Sequence, residues 1–127
     1  MKLLISPASP YVRKVRVLLR EAKLLDTVEE ITISTNALAS DPTVIAANPT
    51  GKIPTLIRGD GPAIFDSRVI TRFLDDHANT SLYPNTRIWE VLTLEAMGDA
   101  IMDSAVSMAY EVRLRPQEKQ SAEWTDA

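Results

Sequence analysis

Along the chain, apolar residues fall into short runs and helical stripes separated by proline, glycine, asparagine and aspartate. Leu3-Leu4-Ile5 is a compact apolar run ended by Ser6-Pro7, the pattern of a buried strand. Ser9-Pro10 has the form of a helix start. A serine there accepts from the first free amides, and a proline at the first helical position lacks only an N–H that would be unpaired anyway. Val12, Val15, Leu19 and Ala22 follow at helical spacing, predicting a helix to about Lys23. Ile31 and Ile33 alternate with Glu30, Thr32 and Ser34 as a second strand. Asp41-Pro42 opens a short helix through Val44, Ile45 and Ala46. It stops before Asn48-Pro49, because the residue before a proline avoids helical geometry. Thr55-Leu56-Ile57 and Ala63-Ile64-Phe65 read as third and fourth strands, made antiparallel by a Gly59-Asp60-Gly61 turn. Asp66 and Ser67 cap a third helix with Val69, Ile70, Phe73 and Leu74 on its buried side.

The order strand, helix, strand, helix, strand, strand, helix describes a parallel βαβ unit, a hairpin and a covering helix, which form one α/β layer. Asn79 to Asn85, with Pro84, reads as a linker. From Thr86 to about Leu114 the pattern is one long helix with apolar residues at Ile88, Val91, Leu92, Ala96, Ile101, Ala105, Met108 and Val112. They spread over more than one stripe, so two faces are expected to be buried, one on the α/β layer and one on a partner or further helices. Pro116 is expected to start a last helix, Gln117 to Trp124.

Composition narrows the function. The 127 residues are 45% hydrophobic and 24% charged, with a net charge of −3. These values are those of a globular domain and run against disorder and against a basic nucleic-acid binder. Cysteine is absent and His77 is the one histidine, which excludes disulfides, thiolate metal sites and a cysteine nucleophile. No metal is expected. No apolar run is long enough for a membrane span, and the start is too short in apolar residues for a secretory signal, so a cytoplasmic protein is expected. Residues 1–25 carry a net +5 and the remainder −8. The basic residues from Arg13 to Lys23 are those of a solvated helix face, although together they raise the potential felt by an anion.

Four stretches in order resemble the glutathione transferase family. Ser6-Pro7-Ala8-Ser9-Pro10-Tyr11-Val12-Arg13-Lys14 is similar to the strand-to-helix turn of its bacterial, serine- or cysteine-type members. Asn48-Pro49-Thr50-Gly51-Lys52-Ile53-Pro54-Thr55-Leu56 resembles its proline-containing loop, and Phe65-Asp66-Ser67-Arg68-Val69-Ile70 its acidic-serine helix start, where glutamate is the commoner first residue. Gly98 to Val106 and Arg115 to Lys119 resemble its fourth and fifth helices. The resemblance implies an N-terminal thioredoxin-like domain (βαβαββα) followed by the first helices of an all-helical C-terminal domain. Residues 1–78 would be the glutathione-binding domain, 79–85 the linker and 86–127 an incomplete helical domain. It implies a cytoplasmic homodimer that transfers glutathione, its co-substrate, to a small electrophile in detoxification. The alternative is a glutathione-binding or protein-interaction module without turnover.

The same resemblance assigns roles. A free thiol with a pKa near 8.5 is only about 3% thiolate at pH 7. Lowering that pKa by two units would raise the thiolate about 25-fold, of which the weaker nucleophilicity takes back about 6–10-fold. Positioning the sulfur must therefore supply most of the acceleration. Ser9 is the candidate catalytic hydroxyl, donating to the sulfur at the positive end of the first helix. As a plain N-cap it would contribute about 1 kcal/mol, and both readings can hold. Ser6 and Tyr11 are the other candidates. Ile53-Pro54 is expected to be cis, with the Ile53 N–H and C=O left to pair with the cysteinyl backbone of the tripeptide. The amides at Ser67 suit the γ-glutamyl carboxylate, Asp66 suits its amine, and Lys52 the glycine carboxylate. Asp99 and Asp103 read as a solvated or dimer-facing acidic pair on which nothing else converges. Met97, Met102, Met108 and Tyr110 read as core residues or as the wall of an electrophile pocket. His77 reads as a cation at a helix C-terminus.

Overall fold

The computed structural model describes residues 1–126. Ala127, the last residue of the 86–127 range, lies outside them. The chain runs β1 (Lys2–Ile5), α1 (Pro10–Glu21), β2 (Glu29–Thr32), α2 (Pro42–Ala47), β3 (Thr55–Ile57), β4 (Ile64–Phe65), α3 (Ser67–Ala78), α4 (Ile88–Leu114) and α5 (Ala122–Asp126). Short 3-10 turns stand at Asn85–Arg87 and Gln117–Lys119. The sheet order is β2-β1-β3-β4, with β1 parallel to β2 and antiparallel to β3, and β3 antiparallel to β4. This is the expected thioredoxin-like α/β layer followed by a helical portion.

The core lies between the sheet and the helices α1 and α3. Leu3, Val15, Leu56, Ile70 and Leu74 are fully buried. Each large side chain among them contributes about 2 kcal/mol over an exposed position. The Ser9 cap is as read, its Oγ accepting from the Val12 amide at 3.3 Å. α1 ends two residues earlier than expected, at Glu21, because Ala22 caps it and Lys23 turns to φ +56°.

Two helices differ from the sequence reading in which face they bury. On α3 the inward stripe is Ser67, Ile70, Thr71, Leu74 and Asp75, whereas Val69 is 51% exposed. Val69 lies about 100° around the helix from Ile70, and centring the stripe on Ile70 and Leu74 turns it outward. On α4 the fully buried residues are Asp99 and Glu111. Ile101, Met108 and Val112 are exposed, so the second apolar face is uncovered in this chain. The last helix is also displaced. Pro116 leads only a 3-10 turn, and α5 starts at Ala122. The break occurs where Gln120 Nε2 donates to the carbonyls of Val112 and Arg115, and where the Ser121 amide donates to the buried Glu111 carboxylate at 2.9 Å. No helix among the described residues is long and apolar enough to cross a membrane.

Candidate functional site

Three segments converge because of strand register. Leu4 faces Thr55 across the β1–β3 ladder, so the C-terminal end of β1 lies beside the N-terminal end of β3. Thr55 faces Phe65 across β3–β4, so the C-terminal end of β4 lies there too. The residues that follow β1 (Ser6 to Ser9), precede β3 (Lys52, Ile53, Pro54) and follow β4 (Asp66, Ser67) therefore emerge at one end of the sheet.

Ser9 and Ser6 are half-buried in the β1–α1 turn, which is closed by the Ser9 amide donating to the Ser6 carbonyl at 3.0 Å. Ser9 Oγ acts as an acceptor toward Val12, which leaves its proton for a further acceptor. Tyr11 is turned to other work. Its hydroxyl donates to Asp103 Oδ1 at 2.5 Å. Burial, reinforced by that hydrogen bond and the Asp103 and Asp99 charges, pushes its phenol well above the ordinary range.

The loop before β3 is held by Asn48. This residue is 1% exposed, and its side chain spans the loop. Oδ1 accepts from the Thr50 amide at 2.9 Å and the Thr50 hydroxyl at 2.8 Å. Nδ2 donates to the Lys52 carbonyl at 2.9 Å and to Thr55 Oγ1 at 3.2 Å. Gly51 turns the loop at φ +66°, a conformation that disfavours a side chain. The Ile53-Pro54 peptide is cis, as expected. The ladder begins at Thr55, so the Ile53 backbone stands outside it. Lys52 is exposed at the loop edge.

Asp66 caps α3 at φ +69°, accepting from the Arg68 amide at 2.9 Å, and is itself exposed. Ser67 is the first helical residue and is buried. The amides here form the positive end of a 12-residue helix.

Sequence reading missed what lies behind these turns. Asp99 is not solvated, and cations do converge on it. Lys14 Nζ donates to its two oxygens at 2.9 and 3.1 Å and also lies 2.8 Å from Glu95. Arg68 Nε stands 3.4 Å from Asp99 and 3.3 Å from Asp66. Lys14 is thus an interior partner and not part of a solvated face. Tyr83 of the linker donates to Glu95 at 2.6 Å. Burial first, then that hydrogen bond, raises its phenol well above the ordinary range, against opposing contributions from Thr71 and Arg72. Asp99 and Asp103 at i, i+4 were the one local signal of a charged helix face. Met97 and Met108 line an open groove of about 510 Å³ with Ala100, Ile101, Ser104 and Ala105, whereas Met102 faces the other way and is half-buried. His77 sits in the last turn of α3 with its ring stacked on Phe73. No group of three metal-ligating side chains occurs among the described residues.

Residues 8–77 match the glutathione S-transferase N-terminal domain family. The chain belongs to that family. A glutathione transferase family member from Pseudomonas fluorescens, solved with bound glutathione, superposes with a TM-score of 0.92 at 40% identity, covering 98% of this chain and 62% of the other. A glutathione S-transferase from Methylobacillus flagellatus, also with glutathione bound, gives 0.80 at 37% identity over 98% and 61%. The uncharacterized GST-like protein YibF of Escherichia coli is 31% identical over 95% of this chain and 59% of its own length. Glutathione S-transferase 3 of Zea mays is 30% identical over 91% and 54%. The chain thus spans somewhat over half the length of these family members.

Proposed function

We propose that this chain binds glutathione at the strand-end site and serves its transfer to a small electrophile. The observation that carries the reading is the convergence of Ser9, the Ile53-Pro54 segment and the Asp66-Ser67 helix start at one end of the sheet. Two neighbours at 40% and 37% identity hold glutathione, which supports the same ligand here.

The extended tripeptide pairs through its cysteinyl backbone with Ile53, as an added strand would. The γ-glutamyl carboxylate takes the amides at Ser67 and its ammonium faces Asp66. Lys52 meets the glycine carboxylate. The Ser9 hydroxyl donates to the sulfur and favours the thiolate, holding it at the positive end of α1. Tyr11 is not chosen for this step, since its proton is engaged by Asp103. Residues 1–78 form the glutathione unit, 79–85 the linker, and 86–127 the start of the helical unit. The uncovered apolar stripe of α4 supports a homodimer, and the role proposed for it is detoxification in the cytoplasm.

Calorimetry with reduced glutathione tests the site. Heat that saturates at one peptide per chain supports it, and no binding at millimolar peptide removes it. A conjugation assay with a generic aromatic electrophile, run beside Ser9→Ala, then separates transfer from binding alone.

A further inference from the structure

Asn48 has no place in the ligand contacts proposed above, yet it is as buried as the core leucines and its side-chain amide is fully paired. A buried asparagine is costly unless every polar atom finds a partner, so a satisfied one specifies the geometry around it. What it specifies here is the direction of one peptide plane. The Lys52 carbonyl is drawn inward by two donors, Asn48 Nδ2 at 2.9 Å and Thr55 Oγ1 at 2.9 Å. A trans peptide is planar and holds its C=O and N–H pointing in opposite directions. The Lys52–Ile53 bond is trans. Fixing the Lys52 oxygen inward therefore aims the Ile53 N–H outward, away from Asn48 and Thr55.

We propose that Asn48 is a positioning residue for glutathione, acting through the Lys52–Ile53 peptide plane to present the Ile53 N–H to the cysteinyl carbonyl, with Thr55 as the second arm. This rests on the glutathione reading above. It separates two tasks within one loop, with Ile53 touching the peptide while Asn48, at the C-terminal cap of α2, decides where Ile53 points.

The test pairs two variants with two ligands. Asn48→Asp keeps the acceptor toward Thr50 and replaces the donor toward the Lys52 carbonyl by a second acceptor. Thr55→Val is close in shape, removes the second arm together with the acceptor at 3.2 Å from Asn48 Nδ2, leaves Asn48 its own bond to the Lys52 carbonyl, and decides the matter should Asn48→Asp fail to fold. The ligands are reduced glutathione and an analogue whose cysteinyl–glycine peptide is a trans alkene, which lacks the carbonyl. By calorimetry, Asn48→Asp is expected to bind glutathione about tenfold more weakly than the wild type, as for a lost hydrogen bond of about 1.4 kcal/mol. Thr55→Val is expected to lose about threefold. Both variants are expected to bind the alkene with wild-type affinity. Loss by the same factor for both ligands would mean general damage to the loop and would overturn the inference, as would no loss for either. A wild type that binds no glutathione overturns the functional reading itself, whereas wild-type binding retained in both variants overturns the positioning role alone.

Discussion

Lys14 Nζ on α1 lies 2.9 Å from Asp99 Oδ1 on α4, joining residues 85 positions apart. Glu95 lies 2.8 Å from the same ammonium, and both carboxylates are under 10% exposed. One cation thus bridges two buried anions, with Arg68 as a second cation beside Asp99, and this cluster ties the helical portion to the α/β layer. Lys14→Met would leave both carboxylates without that partner. Removing one side of a buried pair costs about 3–5 kcal/mol, and the lower end is expected here because Lys14 is 18% exposed. Urea unfolding measures it. Arg68→Ala removes a half-exposed guanidinium and is expected to cost no more than about 1 kcal/mol.

That pair also marks where the sequence ceased to be legible. The strands, the Ser9 cap, the hairpin at Gly59-Asp60-Gly61 and the Asp66 cap are all local patterns, written within a few residues and therefore legible. Lys14 sits among basic residues on an exposed-looking helix face, and nothing within four residues says that α4 will cross it. Asn48 reads as a helix stop and as the start of the proline-containing loop, but its buried side-chain role does not show, because its partners Lys52 and Thr55 become neighbours through a turn the pattern does not specify. Val69 reads as buried because apolar residues at 69, 70, 73 and 74 fit two overlapping stripes, and contact with the sheet chooses between them. Gln117 to Trp124 reads as helical, but Gln120 and Ser121 find partners on α4 that interrupt it.

Asp75 is buried at the C-terminal turn of α3 and accepts from Thr80 Oγ1 at 2.6 Å and from the Leu82 and Tyr83 amides at 2.7 and 3.0 Å. Burial alone would raise its pKa, but these three donors outweigh it and hold the carboxyl below its ordinary 3.8. A depressed folded-state pKa adds stability that is complete above the unfolded value and is lost as the pH falls through the folded one. Asp75→Asn is therefore expected to lose about 1–3 kcal/mol at pH 7. The gap to wild type is expected to close as the pH falls below 3.8. Denaturant titrations at pH 7 and in the acid range check the sign.

Tyr11 and Ser9 separate by function. Tyr11→Phe deletes the bond to Asp103 and is expected to cost about 1 kcal/mol of stability while leaving glutathione affinity unchanged. Ser9→Ala removes the α1 cap at a similar cost of about 1 kcal/mol and is expected to lower conjugation as well. Equal conjugation by Ser9→Ala and wild type would contradict the role given to Ser9.

Gly51→Ala tests the loop from its other side. The backbone is at φ +66°, and an added Cβ would stand 2.6 Å from Ser40 Oγ. A left-handed alanine costs about 1–2 kcal/mol before any clash, so a loss of at least that size is expected in thermal unfolding. Ser40→Gly in the same chain is expected to recover the steric part only.

The most direct test follows the backbone amides of the ¹⁵N-labelled chain by NMR while reduced glutathione is added. Saturable shifts centred on Ile53 and Ser67, with Ser9 beside them, are the expected result. Shifts confined to the Met97–Met108 face of α4, or none at millimolar peptide, would contradict the site.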